Sequence, residues 1–84
     1  MNWTVDFAPG IWTEALVLWA TSPDPAATRA AIGDIQARLA ADPHDAGRHL
    51  SEGLWTIAAP PLVAFYTIDP ARRHVEITAV AATA

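Results

Sequence analysis

The sequence predicts an α+β fold with two layers: a helical hairpin packed on a mainly antiparallel four-stranded sheet, in the order β-α-α-β-β-β. Three observations carry that prediction. Leu54–Val80 writes three short runs rich in β-branched and aromatic residues, separated by Pro60-Pro61 and by Asp69-Pro70-Ala71-Arg72, which is turn chemistry. Asn2–Phe7 alternates apolar and polar residues with a period of two, as a half-buried strand does. Between these lie two runs whose apolar positions recur at helical spacing, split by Thr21-Ser22-Pro23-Asp24-Pro25.

In the first strand, Trp3, Val5 and Phe7 share one face, opposite Asn2, Thr4 and Asp6, and Pro9-Gly10 ends it. From Ile11 to Ala20 the apolar positions recur at helical spacing and put Trp12, Ala15, Leu16 and Trp19 on one stripe, which predicts a helix of about two to three turns. Ser22 or Asp24 can then cap a second helix, with the next proline in the first turn, where no amide donor is needed. That helix runs to about Ala41, and Ala27, Ala31, Ile35 and Leu39 with Ile32 give it a narrow apolar face for close packing. Asp42-Pro43 stops it.

Residues 43–53, PHDAGRHLSEG, form the only long polar segment and are expected to be a loop, kept out of helix by Pro43. The run Leu62–Ile68 is apolar on both alternating faces, which places it inside the sheet. The last run sets Val75, Ile77 and Ala79 against His74, Glu76 and Thr78, so one face is expected to meet water. Treating each short connection as an about-turn makes the first strand antiparallel to the second and fourth, at a sheet edge.

A chain of 84 residues is expected to form a single domain over 1–84, burying roughly 60–65% of its unfolded surface. Hydrophobic residues make up 52% and charged residues only 17%, which predicts an exposed apolar patch that a partner covers. There is no cysteine, so no disulfide or thiolate metal site is expected. Net charge is −4, and every basic residue is an arginine: Arg29, Arg38, Arg48, Arg72 and Arg73. Direct nucleic-acid binding is disfavoured, because affinity for a phosphate backbone needs a basic surface. The glycines at 10, 33, 47 and 53 make no phosphate cradle, and Ser51 lacks the surroundings of a nucleophile elbow, so no cofactor is expected. No apolar run is long enough for a bilayer and no leader is evident, which makes the cytoplasm the expected location.

The element order, together with L-SEGLW-x-I, PPLVAFYTID and HVEITAV, resembles the RelE/ParE superfamily of toxins from bacterial type II toxin–antitoxin pairs. The resemblance covers nearly the whole chain, and its sharpest piece is the tyrosine-bearing strand with its acidic turn. It implies a small protein neutralised by a cognate antitoxin. It also implies one of two activities, ribosome-dependent mRNA cleavage or inhibition of DNA gyrase. For cleavage, members of the family place an arginine at the position that is Val63 here, and basic residues where this chain has Ala81, Ala82, Thr83 and Ala84. Val63 and Thr83 supply no charge to a developing phosphorane, and each such group is worth about a hundredfold or more in rate. Binding of a protein target such as gyrase or the ribosome is therefore expected rather than catalysis. The alternatives are a nuclease with a non-standard site and a non-toxic interaction module.

Arg48, His49, Glu52 and Arg73 are the residual catalytic candidates of that alternative, since histidine and glutamate can move protons. His44 and His49 are five apart, which is not the spacing of a helical metal-binding pair, and the plainer reading of this segment is solvated polar chain. Among four tryptophans, Trp3, Trp12 and Trp55 fall on apolar faces and are expected in the core. Trp19 is the candidate anchor for a partner, because tryptophan is favoured at interface hot spots. Arg72, Arg73 and His74 are the second partner-binding candidate, suited to antitoxin carboxylates through two-point arginine contacts.

Overall fold

A computed structural model describes residues 2–83. The order is β1 (Thr4–Phe7), α1 (Ile11–Thr21), α2 (Pro25–Ala41), α3 (Pro43–Ala46), β2 (Arg48–Ser51), β3 (Leu54–Ala59), β4 (Leu62–Asp69) and β5 (His74–Ala82). The two-layer α+β class holds, with five strands in place of four, arranged β1-β5-β4-β3-β2. The added strand is β2, from the segment expected to be a loop. Its connection to β3 is Glu52-Gly53, with φ of 42° and 82°. Two successive left-handed residues give the twist that a two-residue hairpin requires. Glutamate in the first of those positions is an unusual choice, and it hides the hairpin from a reading of turn residues.

That one strand also corrects the direction of the first. β2 inserts an additional about-turn, so β1 pairs with β5 in parallel, with Val5 opposite Val75 and Phe7 opposite Ile77. The other three pairings are antiparallel. β4 lies at the centre of the sheet, where its two apolar faces place it.

Asp-Pro opens a helix twice in this chain. Asp24 Oδ1 accepts from the Ala27 amide at 3.1 Å, with Pro25 in the first turn of α2. Asp42 closes α2, its amide donating to the Arg38 carbonyl at 3.1 Å, and its Oδ1 accepts from the His44 amide at 3.1 Å to open α3. Pro43 is therefore the first residue of a one-turn helix, contrary to the expectation that it prevents one. Proline is tolerated there because the missing amide would have had no partner.

The core joins Ala31, Ile35 and Leu39 of α2 to Ile57, Leu62, Ala64, Tyr66, Val75 and Ile77 of the sheet. All these strand residues face the helices. α1 contributes Ala15, with Ile11 and Leu18 packed alongside the core. The buried stripe of α1 is thus 11, 15 and 18, rotated from the expected 12, 15, 16 and 19. On β5 the alternation also shifts. Phe65 opposes Ala79 while Tyr66 opposes Ile77, so Thr78 is an extra residue on β5. Past this bulge Val80 turns inward and Ala79 outward.

Candidate functional site

With every long helix on one side, the sheet leaves its other face open. Residues that alternate with the core line that face: Thr56 and Ala58 of β3, Val63 and Phe65 of β4, Glu76 and Ala79 of β5. Arg48 of β2 joins one margin, opposite Thr56. The other margin is acidic, with Asp6 of β1 beside Glu76 of β5. There His74 Nε2 donates to Asp6 Oδ2 at 2.8 Å and ties β5 to β1. Among the described residues, Arg48 is the one arginine whose place in the strands directs it to this face.

The candidate catalytic set does not assemble. Arg48 belongs to the open face, whereas His49 turns to the helix side, its ring 5.2 Å from that of Trp55. Glu52 is in the β2–β3 turn. Arg73 stacks over Trp3 at 5.0 Å on the far side of the sheet. Between Trp3 and Trp55 stands His44, edge-on to both at 5.6 and 5.5 Å. The result is an aromatic row that closes one end of the core rather than a site that moves protons. Beneath the row, Tyr66 Oη donates to the Pro43 carbonyl at 2.7 Å. Burial pushes the Tyr66 phenol up to about 12, with a smaller push from the Asp42 carboxylate and opposing pulls from the Arg38 guanidinium and the Gly47 backbone. Gly47 is required here, because a Cβ would collide with Tyr66 Oη and the Thr56 carbonyl.

Arg72, Arg73 and His74 also diverge. Arg72 pairs with Asp69 at 3.8 Å and is well exposed, Arg73 covers Trp3, and His74 holds Asp6.

The expected apolar patch is on the helical layer. Rotation of α1 leaves Trp12 47% exposed, Leu16 40% and Trp19 38%. Trp12 is thus not a core residue, as its stripe had predicted; it leans on Phe7, with ring centroids 5.1 Å apart. These three side chains and Arg29, Ile32 and Gln36 of α2 line a groove of about 420 Å³. Gly33 forms part of its wall, and the space over that residue is open. Arg29 has no ion-pair or hydrogen-bond partner among the described residues. The sequence signal for the groove was present in the four apolar residues on α1. Only the neighbouring helix decides which of them are covered.

No protein-family model matches this sequence, and no curated protein matches it either. Solved structures do. The chain is similar to one in the RelBE2 toxin–antitoxin complex of Mycobacterium tuberculosis, with a TM-score of 0.80 at 20% identity over 98% of this chain and 92% of that one. It is also similar to a chain of the chromosomal ParDE toxin–antitoxin system of P. aeruginosa, with a TM-score of 0.66 at 13% identity, covering 98% and 97%. At these identities the likeness establishes the fold alone, which this chain shares with both of those chains.

Proposed function

We propose that this chain is the toxin, or toxin-derived, component of a type II toxin–antitoxin pair, acting by binding a protein target and neutralised by a cognate antitoxin. The shared fold supports the pairing, since both similar chains come from toxin–antitoxin systems. The observation that carries the choice of binding over cleavage is the charge on the open sheet face. A face that cleaves RNA must gather cations against phosphate. This one offers two arginines at one margin, Arg48 and an Arg38 already bound to the Ala58 and Ala46 carbonyls, and sets Asp6 and Glu76 against them across the sheet. Val63 adds no charge, and Thr83, whose amide donates to the Pro61 carbonyl at 2.8 Å, adds none. Ala84 lies outside the described residues.

Trp19 is the proposed antitoxin anchor, in the groove it forms with Trp12 and α2. The turn Arg72-Arg73-His74 is a second contact, and reversing both arginines to glutamate weakens antitoxin binding if it serves that role. The target class that suits a toxin without cleavage chemistry is a protein machine such as DNA gyrase. Expression in a bacterial host is the test. Growth arrest with intact transcripts is expected, as is inhibition of supercoiling by the purified protein. Codon-specific cleavage of mRNA on purified ribosomes overturns the proposal in favour of a nuclease, and unimpaired growth overturns it in favour of a non-toxic interaction module.

A further inference from the structure

The open sheet face has a symmetry of charge that the toxin reading does not use. β4 is the middle of five strands, with β3 and β2 to one side and β5 and β1 to the other. A twofold axis laid along β4 therefore exchanges β2 with β1 and β3 with β5. Under that operation Arg48, on β2, comes to lie over the strand that bears Asp6, beside Glu76. Neither Arg48 nor Glu76 has a hydrogen-bond or ion-pair partner among the described residues. Along the strands the two charges are nearly level. Arg48, Thr56, Phe65 and Ala79 form one row across the sheet, while Glu76 belongs to the row of Thr67. Phe65 and Thr67 are two residues apart, about 6.6 Å along the strand, which an arginine side chain spans.

We infer that the open face is a self-complementary interface on which a second copy of this chain packs face to face, with Arg48 of each copy against Asp6 and Glu76 of the other. Closed twofold pairs are the commonest soluble assemblies, and they require a patch that matches itself. Here the patch has opposite charges on opposite margins and an apolar middle of Ala58, Val63, Phe65 and Ala79. Phe65 falls on the axis and meets its own copy, which places the one aromatic ring of this face at the centre of the interface. The strand directions suit this arrangement, because aligned sheets pack about 10 Å apart with side chains of short and medium length between them. The sheet is small, about 19 Å between the outer strand axes, so the dimer is a concentration-dependent one at the lower end of stable interface sizes.

Sedimentation equilibrium of the purified full chain over a range of concentrations tests this. A reversible monomer–dimer equilibrium is expected. Arg48→Glu and Glu76→Arg should each weaken dimerisation about tenfold, since each substitution breaks two symmetric pairs. Together the two substitutions restore the pair between positions 48 and 76 with signs exchanged while Asp6 stays acidic, so the double variant should bind about threefold more tightly than either single. Circular dichroism establishes that each variant is folded. A chain that stays monomeric at every concentration, or a double variant as weak as the singles, overturns the inference. So does loss of the dimer on Trp19→Ala, which would put the contact in the helical groove. The outcome is separable from the toxin reading, which is judged by growth arrest and antitoxin capture.

Discussion

The two faces of the sheet are made from alternate residues of the same strands, and they have opposite chemistry. Tyr66, Ile77 and Leu62 on the covered face are shielded completely or nearly so, whereas Val63, Phe65 and Ala79 on the other retain contact with solvent. The covered face is selected by volume: its side chains fill the space under α2. The open face is selected by surface: short apolar groups lie in the middle and opposite charges on its two margins. The difference teaches that one strand can serve folding and recognition at once, provided a period of two keeps the roles apart. Truncation on each face is the strongest way to test that. Leu39→Ala, at a fully buried position under the sheet, should cost about 2–5 kcal/mol of stability through lost burial and a residual cavity. Phe65→Ala should cost about 1 kcal/mol in dilute solution, because less of the ring leaves water. Urea unfolding of both variants checks the pair, and equal losses would mean that the open face is as much a part of the core as the covered one.

A second test uses the only tyrosine in the chain, so that phenolate absorbance reports a single group. Burial raises the Tyr66 phenol to about 12, from 10.0 in an exposed chain. The neutral phenol is therefore favoured in the folded state. Its contribution is complete below pH 10 and disappears as pH rises toward 12, an effect on the order of 2 kcal/mol. Chemical denaturation in this alkaline window should show stability falling with pH. The slope should shrink in Tyr66→Phe, which has nothing to ionise there. A phenol that titrates near 10 in the folded protein would contradict the packing of the aromatic row above it.

The groove on the helical layer should respond in the opposite sense to the core. Trp19→Ala removes a ring that is 38% exposed, so the melting temperature should move little. Affinity for the antitoxin should fall by about 2 kcal/mol, close to thirtyfold, as at a hot spot. Isothermal titration with the purified partner measures this. A large loss of stability with unchanged affinity would return Trp19 to the core.

Most of the fold was legible because it is written in short-range pattern. The cap Asp24 with Pro25, the apolar face at Ala31, Ile35 and Leu39, and the central place of Leu62–Ile68 all follow from local chemistry, and each is present. What was not legible needed a neighbour. β2 is exposed at all four residues, so no periodicity marks it; its pairing with β3 and the Glu52-Gly53 turn make it a strand. Missing it reversed the expected direction of β1. Trp12 and Ala15 look equivalent on a helical projection, and the angle at which α1 meets β5 and α2 decides that one is buried and the other is not. The candidate site shares this limit. Arg48 and His49 are adjacent in sequence, and strand formation sends them to opposite faces of the sheet.

Two hydrogen bonds of nearly equal length give the finest comparison of the faces. Tyr66 Oη donates to the Pro43 carbonyl at 2.7 Å in the interior, and His74 Nε2 donates to Asp6 Oδ2 at 2.8 Å on the open side. Geometry alone ranks them as equals. Burial does not, because Tyr66 is inaccessible while the Asp6 side chain is 64% exposed. Tyr66→Phe leaves a buried carbonyl without its donor, which costs about 1–3 kcal/mol. In Asp6→Asn, water can replace what the carboxylate gave His74, and the cost should be at most about 0.5 kcal/mol. Thermal unfolding of the two variants at neutral pH separates these values. If Asp6→Asn proved as costly as Tyr66→Phe, the tie between β1 and β5 would be holding the parallel edge in place, and the open face could not be treated as surface left free for a partner.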